Sequence, residues 1–360
     1  MTGAPLISVV LPVFNAEPYV EEALRSILGQ TFADFELIII NDGSTDGTLA
    51  ALQSAIFEDA RVVLISRENR GLVASLNEGI GIARGTWIAR MDADDIAEPT
   101  RFERQLDWLG KTQADICGAW VNFFGSSNPR VLRHPRSDAA IKAELLFGAP
   151  FAHPTVMMKA ALARQLPYDP VWEKCEDYDL WERAARHGWQ MTNIPEVLLN
   201  YRQHQSQISN ASFIYQQHLS QKIRRRYWEY FLKSKGIAST VGISEVMKLR
   251  ETIPTAIDME CVDSLFFTLL ADAQSEEKET IFFHMTKLYL RGAAGCPSMV
   301  FRWSRLNEKY GRDSGLVVKI QIAMLSLFRM RLDSAVGKKV KVAYFYLKSV
   351  YRSMAYVRRS

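Results

Sequence analysis

No Cys-x-x-Cys pair occurs in this sequence, and its four cysteines, Cys117, Cys175, Cys261 and Cys296, lie far apart. Neither a thiolate zinc site nor a dense disulfide scaffold is written there, so a reducing cytoplasm is the expected setting. A Gly-x-x-x-x-Gly-Lys-Ser/Thr loop is also missing, which argues against a P-loop kinase or ATPase. Gly79-x-Gly81-x-x-x-Gly85 imitates a dinucleotide fingerprint, but it ends a helical pattern instead of opening one. Long apolar runs are lacking as well. The first one, Ile7 to Val13, is short, contains Pro12 and follows no basic segment, and 316–328 is interrupted by Lys319 and Gln321. Neither approaches the roughly 18 uncharged apolar residues of a membrane-spanning helix.

What is present is apolar and alternating. With 360 residues and 48% apolar side chains, the chain can fill one large domain or two modest ones. Continuous apolar runs at Ile7-Val13, Phe35-Ile40, Val62-Ser66 and Thr86-Met91 alternate with helical spacing at Glu21-Leu28, Thr48-Ala55 and Leu72-Ala83. This pattern predicts an α/β fold, an open doubly wound sheet with helices on its faces. Ligands in such sheets sit beyond the carboxyl ends of the strands, which marks Pro12-Glu17, Asn41-Asp46, Arg67-Gly71 and Asp92-Asp95. We expect one half of this domain over 1–100, a second half over 101–215 and a helical, basic region over 216–360.

Charge is unevenly spread. Leu316 to Ser360 holds ten Lys and Arg against Asp333, a net +9, leaving −5 for the rest of a chain of net +4. Aromatic and apolar residues at helical spacing in this tail favour a membrane surface over nucleic acid, so the expectation is no nucleic-acid partner and peripheral contact with the inner face of the cell membrane. Completion of a core or of a homodimer interface is the alternative use of the same faces.

The chemistry concentrates at three places. Met91-Asp92-Ala93-Asp94-Asp95 follows a strand directly, and three acids in four residues repel unless a cation joins them. Mg2+ or Mn2+, held by carboxylates together with substrate phosphates, suits that arrangement, with a helix-capping acidic turn as the structural alternative. Asp42, in Asn41-Asp42-Gly43-Ser44-Thr45-Asp46, is a pure acceptor suited to a base N–H or a ribose hydroxyl. Glu176-Asp177 opens a helix, where acids complement the dipole whether or not they also do chemistry. His153-Pro154-Thr155 and Tyr201-Arg202-x-His204 add polar groups upstream and downstream of that helix.

In order along the chain, Ser8 to Asn15, Asn41 to Asp46, Asn69-Arg70-Gly71, Met91 to Asp95, His153-Pro154-Thr155 and Glu176-Asp177 resemble glycosyltransferase family 2. The resemblance runs from Ile7 to about Ser209. It implies the GT-A fold, a Rossmann-like open mixed sheet, and an inverting, metal-dependent glycosyltransferase, with 1–100 the nucleotide-binding half and 101–215 the acceptor-side half. The partners it implies are a nucleotide-sugar donor, with uridine the family's commonest base, and a saccharide or lipid-linked saccharide acceptor in cell-surface glycan or polysaccharide synthesis. Donor contacts would fall to Pro12, Val13, Phe14, Asn15, Glu17, Asp42, Arg70, Asp92, Ala93, His153 and Arg202. The Mn2+ or Mg2+ would fall to Asp94, Asp92 and His204, and catalysis to Asp177 as base with Glu176 beside it. Ser75-Leu76-Asn77 departs from the Ala-Arg-Asn of many relatives, with Arg70 the expected substitute. A noncatalytic nucleotide-sugar binding module and a sugar nucleotidyltransferase are the competing readings.

Overall fold

Two almost wholly apolar runs become strands β1 (Ile7–Val13) and β2 (Phe35–Asp42), and every residue in both is buried. The computed structural model describes residues 3–56, 59–125, 129–204, 213–237, 240–251, 258–311 and 315–329. In it the two strands run parallel, Ile7 opposite Phe35 and Val13 opposite Asn41. Helix α1 (Val20–Leu28) joins them and buries Val20, Ala23, Leu24 and Ile27, the stripe that a 3.6-residue period dictates. Helix α2 (Thr48–Ala55), strand β3 (Val62–Arg67), helix α3 (Leu72–Ile82) and strand β4 (Trp87–Arg90) continue the alternation. Strand β3 extends the sheet beyond β2, whereas β4 pairs with the other side of β1, all in parallel. The order of connection reverses between β1 and β4, so their carboxyl ends frame a switch-point crevice.

Two of the three glycines of the false fingerprint serve packing. A Cβ on Gly79 would lie 2.5 Å from Val10 Cγ1, and one on Gly85 would lie 2.6 Å from Ser8 N. Both positions let the chain after β3 close onto β1.

The second half of the sheet is mixed. Strand β5 (Ile96–Ala97), helix α4 (Arg101–Thr112), strand β6 (Ile116–Phe124), strand β7 (Arg130–Leu132) and helix α5 (Asp138–Glu144) lead to strand β8 (Met157–Lys159) and helix α6 (Ala160–Gln165). Helix α7 (Glu176–Arg186) and the long strand β9 (Met191–Arg202) follow. The sheet order is β3-β2-β1-β4-β8-β6-β9-β5, with β7 paired to β6. Strand β8 runs antiparallel to both β4 and β6, while β9 runs parallel to β6 with a register shift beside Pro195. That irregularity is where a proline fits in a strand. The expected open mixed sheet flanked by helices is what forms.

Two compact units divide the chain, Met1–Tyr227 and Trp228–Ser360. The division falls within helix α8 (Phe213–Ser234). The second unit is helical: α9 (Thr240–Glu251), α10 (Met259–Asp272), α11 (Ser275–Gly292), α12 (Met299–Tyr310) and α13 (Gly315–Leu327). Trp228, Phe266, Tyr289 and Trp303 fill its core. Ile320, Met324 and Leu327 on α13, and Phe328 just past its end, are exposed. No helix among the described residues is long and apolar enough to cross a membrane. Ser206 and Ser209, and the tail from Met330 onward, lie outside the described residues.

Candidate active site

Strand β4 ends at Arg90, and the chain from Met91 to Asp95 turns into the crevice. A buried polar network fixes that turn. Arg101, wholly buried at the start of α4, donates from Nη2 to Arg90 O at 2.7 Å and from Nε to Gln105 Oε1 at 3.1 Å. Gln105 in turn donates to Thr155 O at 2.8 Å and to Cys117 O at 3.2 Å, tying the turn to β6. Burial, aided by the nearby charge of Arg90, pushes the Arg101 guanidinium down to about 9.

Asp92, Asp94 and Asp95 each bring a carboxylate oxygen within 4.8 Å of the other two. Burial pushes the Asp92 carboxyl up, with Arg90 opposing and Asp94 adding to the rise. Asp95 is pushed well above the usual carboxylate range by burial and by the charges of Asp92 and Asp94. Its Oδ1 accepts from Arg202 N at 2.8 Å, while Oδ2 is buried without a hydrogen-bond partner among the described residues. Mutual repulsion and an orphaned buried oxygen are what a hard divalent cation would relieve, so the residues present fit one.

Arg90 connects this cluster to the acceptor side. Only 4% exposed, it pairs through Nη1 with Asp92, and its Nε finds no hydrogen-bond partner among the described residues. Burial works against its charge and Asp92 more than offsets this, so its pKa is raised. The same cation acts on Glu176 and Asp177, which open α7. Glu176 is buried, with Oε2 unpartnered, and burial pushes its carboxyl up to about 7, the neighbouring Asp177 adding to the rise. Asp177 is half-buried and lines a cavity; burial raises its pKa too, while the Tyr178 backbone N–H, 2.7 Å from Oδ1, opposes the shift. Beside Arg90 sits His153, held neutral by burial and by that cation, its Nε2 2.8 Å from the Tyr168 hydroxyl. Asn77 fixes Tyr168 by exchanging two backbone bonds with it, at 2.8 and 2.9 Å.

The other side of the crevice is built from the ends of β1 and β2. Pro12 and Val13 are buried in β1, and Phe14 follows with 51% of its surface exposed. Asn15 adopts a left-handed φ of 47°, which lets its Oδ1 accept from Thr45 N at 2.8 Å and its N–H donate to Ser44 Oγ at 3.0 Å. Glu17 Oε2 accepts from Gly47 N at 2.9 Å, so its carboxylate holds the start of α2. Asp42 is buried with both oxygens engaged. Oδ1 accepts from Arg70 N and Oδ2 from Gly71 N, each at 2.9 Å, and Arg67 pairs with Oδ1. Arg67 also binds Glu78 at 2.6 Å, so the guanidinium on Asp42 comes from the end of β3. The Arg70 side chain is exposed, and Leu76 is buried in the core.

Arg202 and His204 close the crevice from β9. Arg202 Nε donates to Asp94 O at 2.8 Å, Nη2 pairs with Glu22, and the guanidinium lies over Tyr19 and Phe124. His204 Nε2 lies 2.9 Å from Asp94 Oδ2, and its ring stacks on Tyr19. Of the predicted residues, Arg202 and His204 thus meet the aspartate cluster directly, both at Asp94, and Ala93 is buried in the turn between Asp92 and Asp94. Sequence reasoning assigned no role to Asp95, Arg90 or Tyr168. Asp95 was visible as the third acid of the run; a lone arginine inside an apolar strand carries no such signal.

A doubly wound sheet with an acidic cluster at its switch point defines a class, the GT-A type of α/β transferase. The comparisons agree. The model of glycosyl transferase family 2 matches residues 8–165. An uncharacterized glycosyltransferase of Haemophilus influenzae is 34% identical over 251 residues, 66% of this chain and 77% of that protein. The O-antigen biosynthesis glycosyltransferase WbnJ of Escherichia coli is 32% identical over 240 residues, 65% of this chain and 92% of WbnJ. The crystal structure of S. aureus TarS 1-349 with UDP-GlcNAc shares the fold, with a TM-score of 0.50 at 14% identity over 88% of this chain and 91% of TarS 1-349. The chain belongs to glycosyltransferase family 2.

Proposed function

We propose that this glycosyltransferase transfers a sugar from a nucleotide diphosphate sugar, a UDP-sugar foremost, to a hydroxyl of a saccharide or lipid-linked saccharide, inverting the anomeric centre, in the building of a cell-surface glycan. The observation that carries the reading is the acidic cluster at the end of β4: Asp92, Asp94 and Asp95 bring carboxylate oxygens within 4.8 Å of one another, and the buried Arg90 pairs with Asp92. Similarity to an O-antigen enzyme supports the glycan setting.

Phe14 offers an exposed ring at the end of β1 against which a flat base can lie. Asp42, with Arg67 and the N–H groups of Arg70 and Gly71, holds the floor of the nucleotide pocket rigid. Asp94, Asp92 and Asp95 would hold Mn2+ or Mg2+, with His204 orienting Asp94; once bound, the cation offsets the charge that develops on the departing diphosphate. Asp177 takes the acceptor hydroxyl proton at a carboxylate oxygen, on the side of the sugar away from the diphosphate. Glu176, protonated up to about pH 7, lowers the negative charge beside that base. His153, kept neutral, hydrogen-bonds Tyr168 and leaves Arg90 the cation of the centre.

A panel of nucleotide sugars titrated into the purified chain with and without Mn2+ tests the donor reading. One nucleotide class should bind tightly only with the metal; no binding by any member would remove the proposal.

A further inference from the structure

Beyond the family match, which ends at residue 165, helix α8 brings a second wall to the site. Three consecutive arginines on this helix face three ways, because each step turns about 100°. Arg225 is exposed. Arg226 anchors α8 to α7, its Nη2 reaching Asp179 Oδ1 at 2.7 Å and Glu182 Oε2 at 2.5 Å. Arg224 is different. It is 8% exposed, its Nε is buried without a partner, and its side chain makes no hydrogen bond or ion pair among the described residues. A guanidinium nitrogen buried without a partner carries a free-energy cost that a bound oxyanion would offset.

Arg224 lines a cavity of about 190 Å³, with Lys174, Cys175, Gln216, Ser220 and, on the same wall, Asp177. Taking roughly 30 Å³ per water, that is space for about six water molecules. The walls are held firmly: Cys175 Sγ contacts Gln216 O and Ser220 Oγ, each at 3.4 Å, and Gln216 donates to Lys174 O at 3.1 Å. Lys174, at a left-handed φ of 75°, is exposed and also lines the cavity.

We propose that this cavity is the acceptor subsite and that Arg224 binds an oxyanion carried by the acceptor next to the hydroxyl that Asp177 deprotonates. The inference rests on the transfer reading above for the role of Asp177. The ligand chemistry is an oxyanion able to take two N–H bonds from one guanidinium, which a phosphate or a sugar carboxylate satisfies. Gln216 and Ser220 supply neutral partners for the ring that carries it. A neutral saccharide would leave Arg224 as it now stands, buried and unpaired.

Calorimetric titration of the full chain in EDTA, where the aspartate cluster repels anions, tests this with inorganic phosphate, glucuronate and glucose as probes. Phosphate or glucuronate should bind the wild type at least tenfold more tightly than Arg224→Gln, with part of the affinity kept in Arg224→Lys, while glucose shows no such difference. Tighter phosphate binding identifies a phosphorylated acceptor, and tighter glucuronate binding an acidic saccharide. Ser220→Asp, which keeps the guanidinium but places a carboxylate in the cavity, should abolish the same binding whether or not Arg224→Gln folds. Equal anion affinity in wild type and Ser220→Asp, or in wild type and a folded Arg224→Gln, would overturn the inference. Donor binding by the wild type, scored separately with the nucleotide-sugar panel, decides the transfer reading. A chain that binds donor but shows no Arg224-dependent anion binding contradicts the subsite alone.

Discussion

Glu176→Gln removes a charge that the fold holds at a disadvantage. Glu176 is 5% exposed, Oε2 has no partner, and burial together with Asp177 lifts its carboxyl from 4.5 to about 7. Below 4.5 the folded and unfolded chains both hold the proton; above about 7 neither does. Between these values only the folded chain holds it, so the stability it contributes is full at pH 4.5 and lost as pH rises through about 7. At 1.36 kcal/mol per pH unit, the interval is worth about 3 kcal/mol. Glutamine cannot ionise. The stability of Glu176→Gln relative to wild type should therefore rise by about 3 kcal/mol from pH 4.5 to pH 8. Buried His134, pushed down to about 4, and His153 lose stability in the opposite direction, as pH falls below 6.5, but they are common to both proteins and cancel in the difference. Urea unfolding in EDTA across this range measures it, and a difference that stays flat would refute the reasoning. The acidic limb of kcat/KM should hardly move in the variant, because Glu176 is already neutral below about pH 7.

Asp177→Asn keeps size and hydrogen bonding while removing basicity, so turnover should fall about 10² to 10⁴-fold with donor affinity nearly unchanged; near wild-type turnover would remove Asp177 as the base. Asp42→Asn breaks a buried carboxylate's hold on two backbone N–H groups and Arg67, and should cost about 3 kcal/mol in denaturant unfolding. A loss below about 1 kcal/mol would mean that the clasp carries little. Ending the chain after Phe328 removes most of the +9 tail and should weaken cosedimentation with anionic vesicles at constant turnover, since each Lys or Arg near such a surface contributes about 1 kcal/mol; unchanged binding would leave the membrane contact without support.

The Rossmann-like half was legible because its central strands β1 and β2 are buried on both faces. An apolar run such as Leu37-Ile38-Ile39-Ile40 has few other uses, and the helices between show their period plainly. Strand β2 nonetheless runs on through Asn41 and Asp42, since backbone pairing with Ser66 and Arg67 outweighs the turn preference of those residues. The order of β8, β6 and β9 was hidden, because three-residue β8 has no room to show a period and is set by its pairing with β4 and β6. In the site, the aspartates announced themselves as repelling acids at a strand end. Their cations did not. Arg67 reaches Asp42 across 25 residues, and Lys222-Ile-Arg-Arg-Arg226 reads as a solvated run until helical rotation turns Arg224 inward.

Release of nucleoside diphosphate from the donor that the binding panel selects, in the presence of acceptor and followed with and without EDTA, tests the account at its centre. Transfer that needs Mn2+ or Mg2+, and that Asp94→Asn abolishes while the protein stays folded, is the predicted result. Full transfer in EDTA, or by Asp94→Asn, would contradict it.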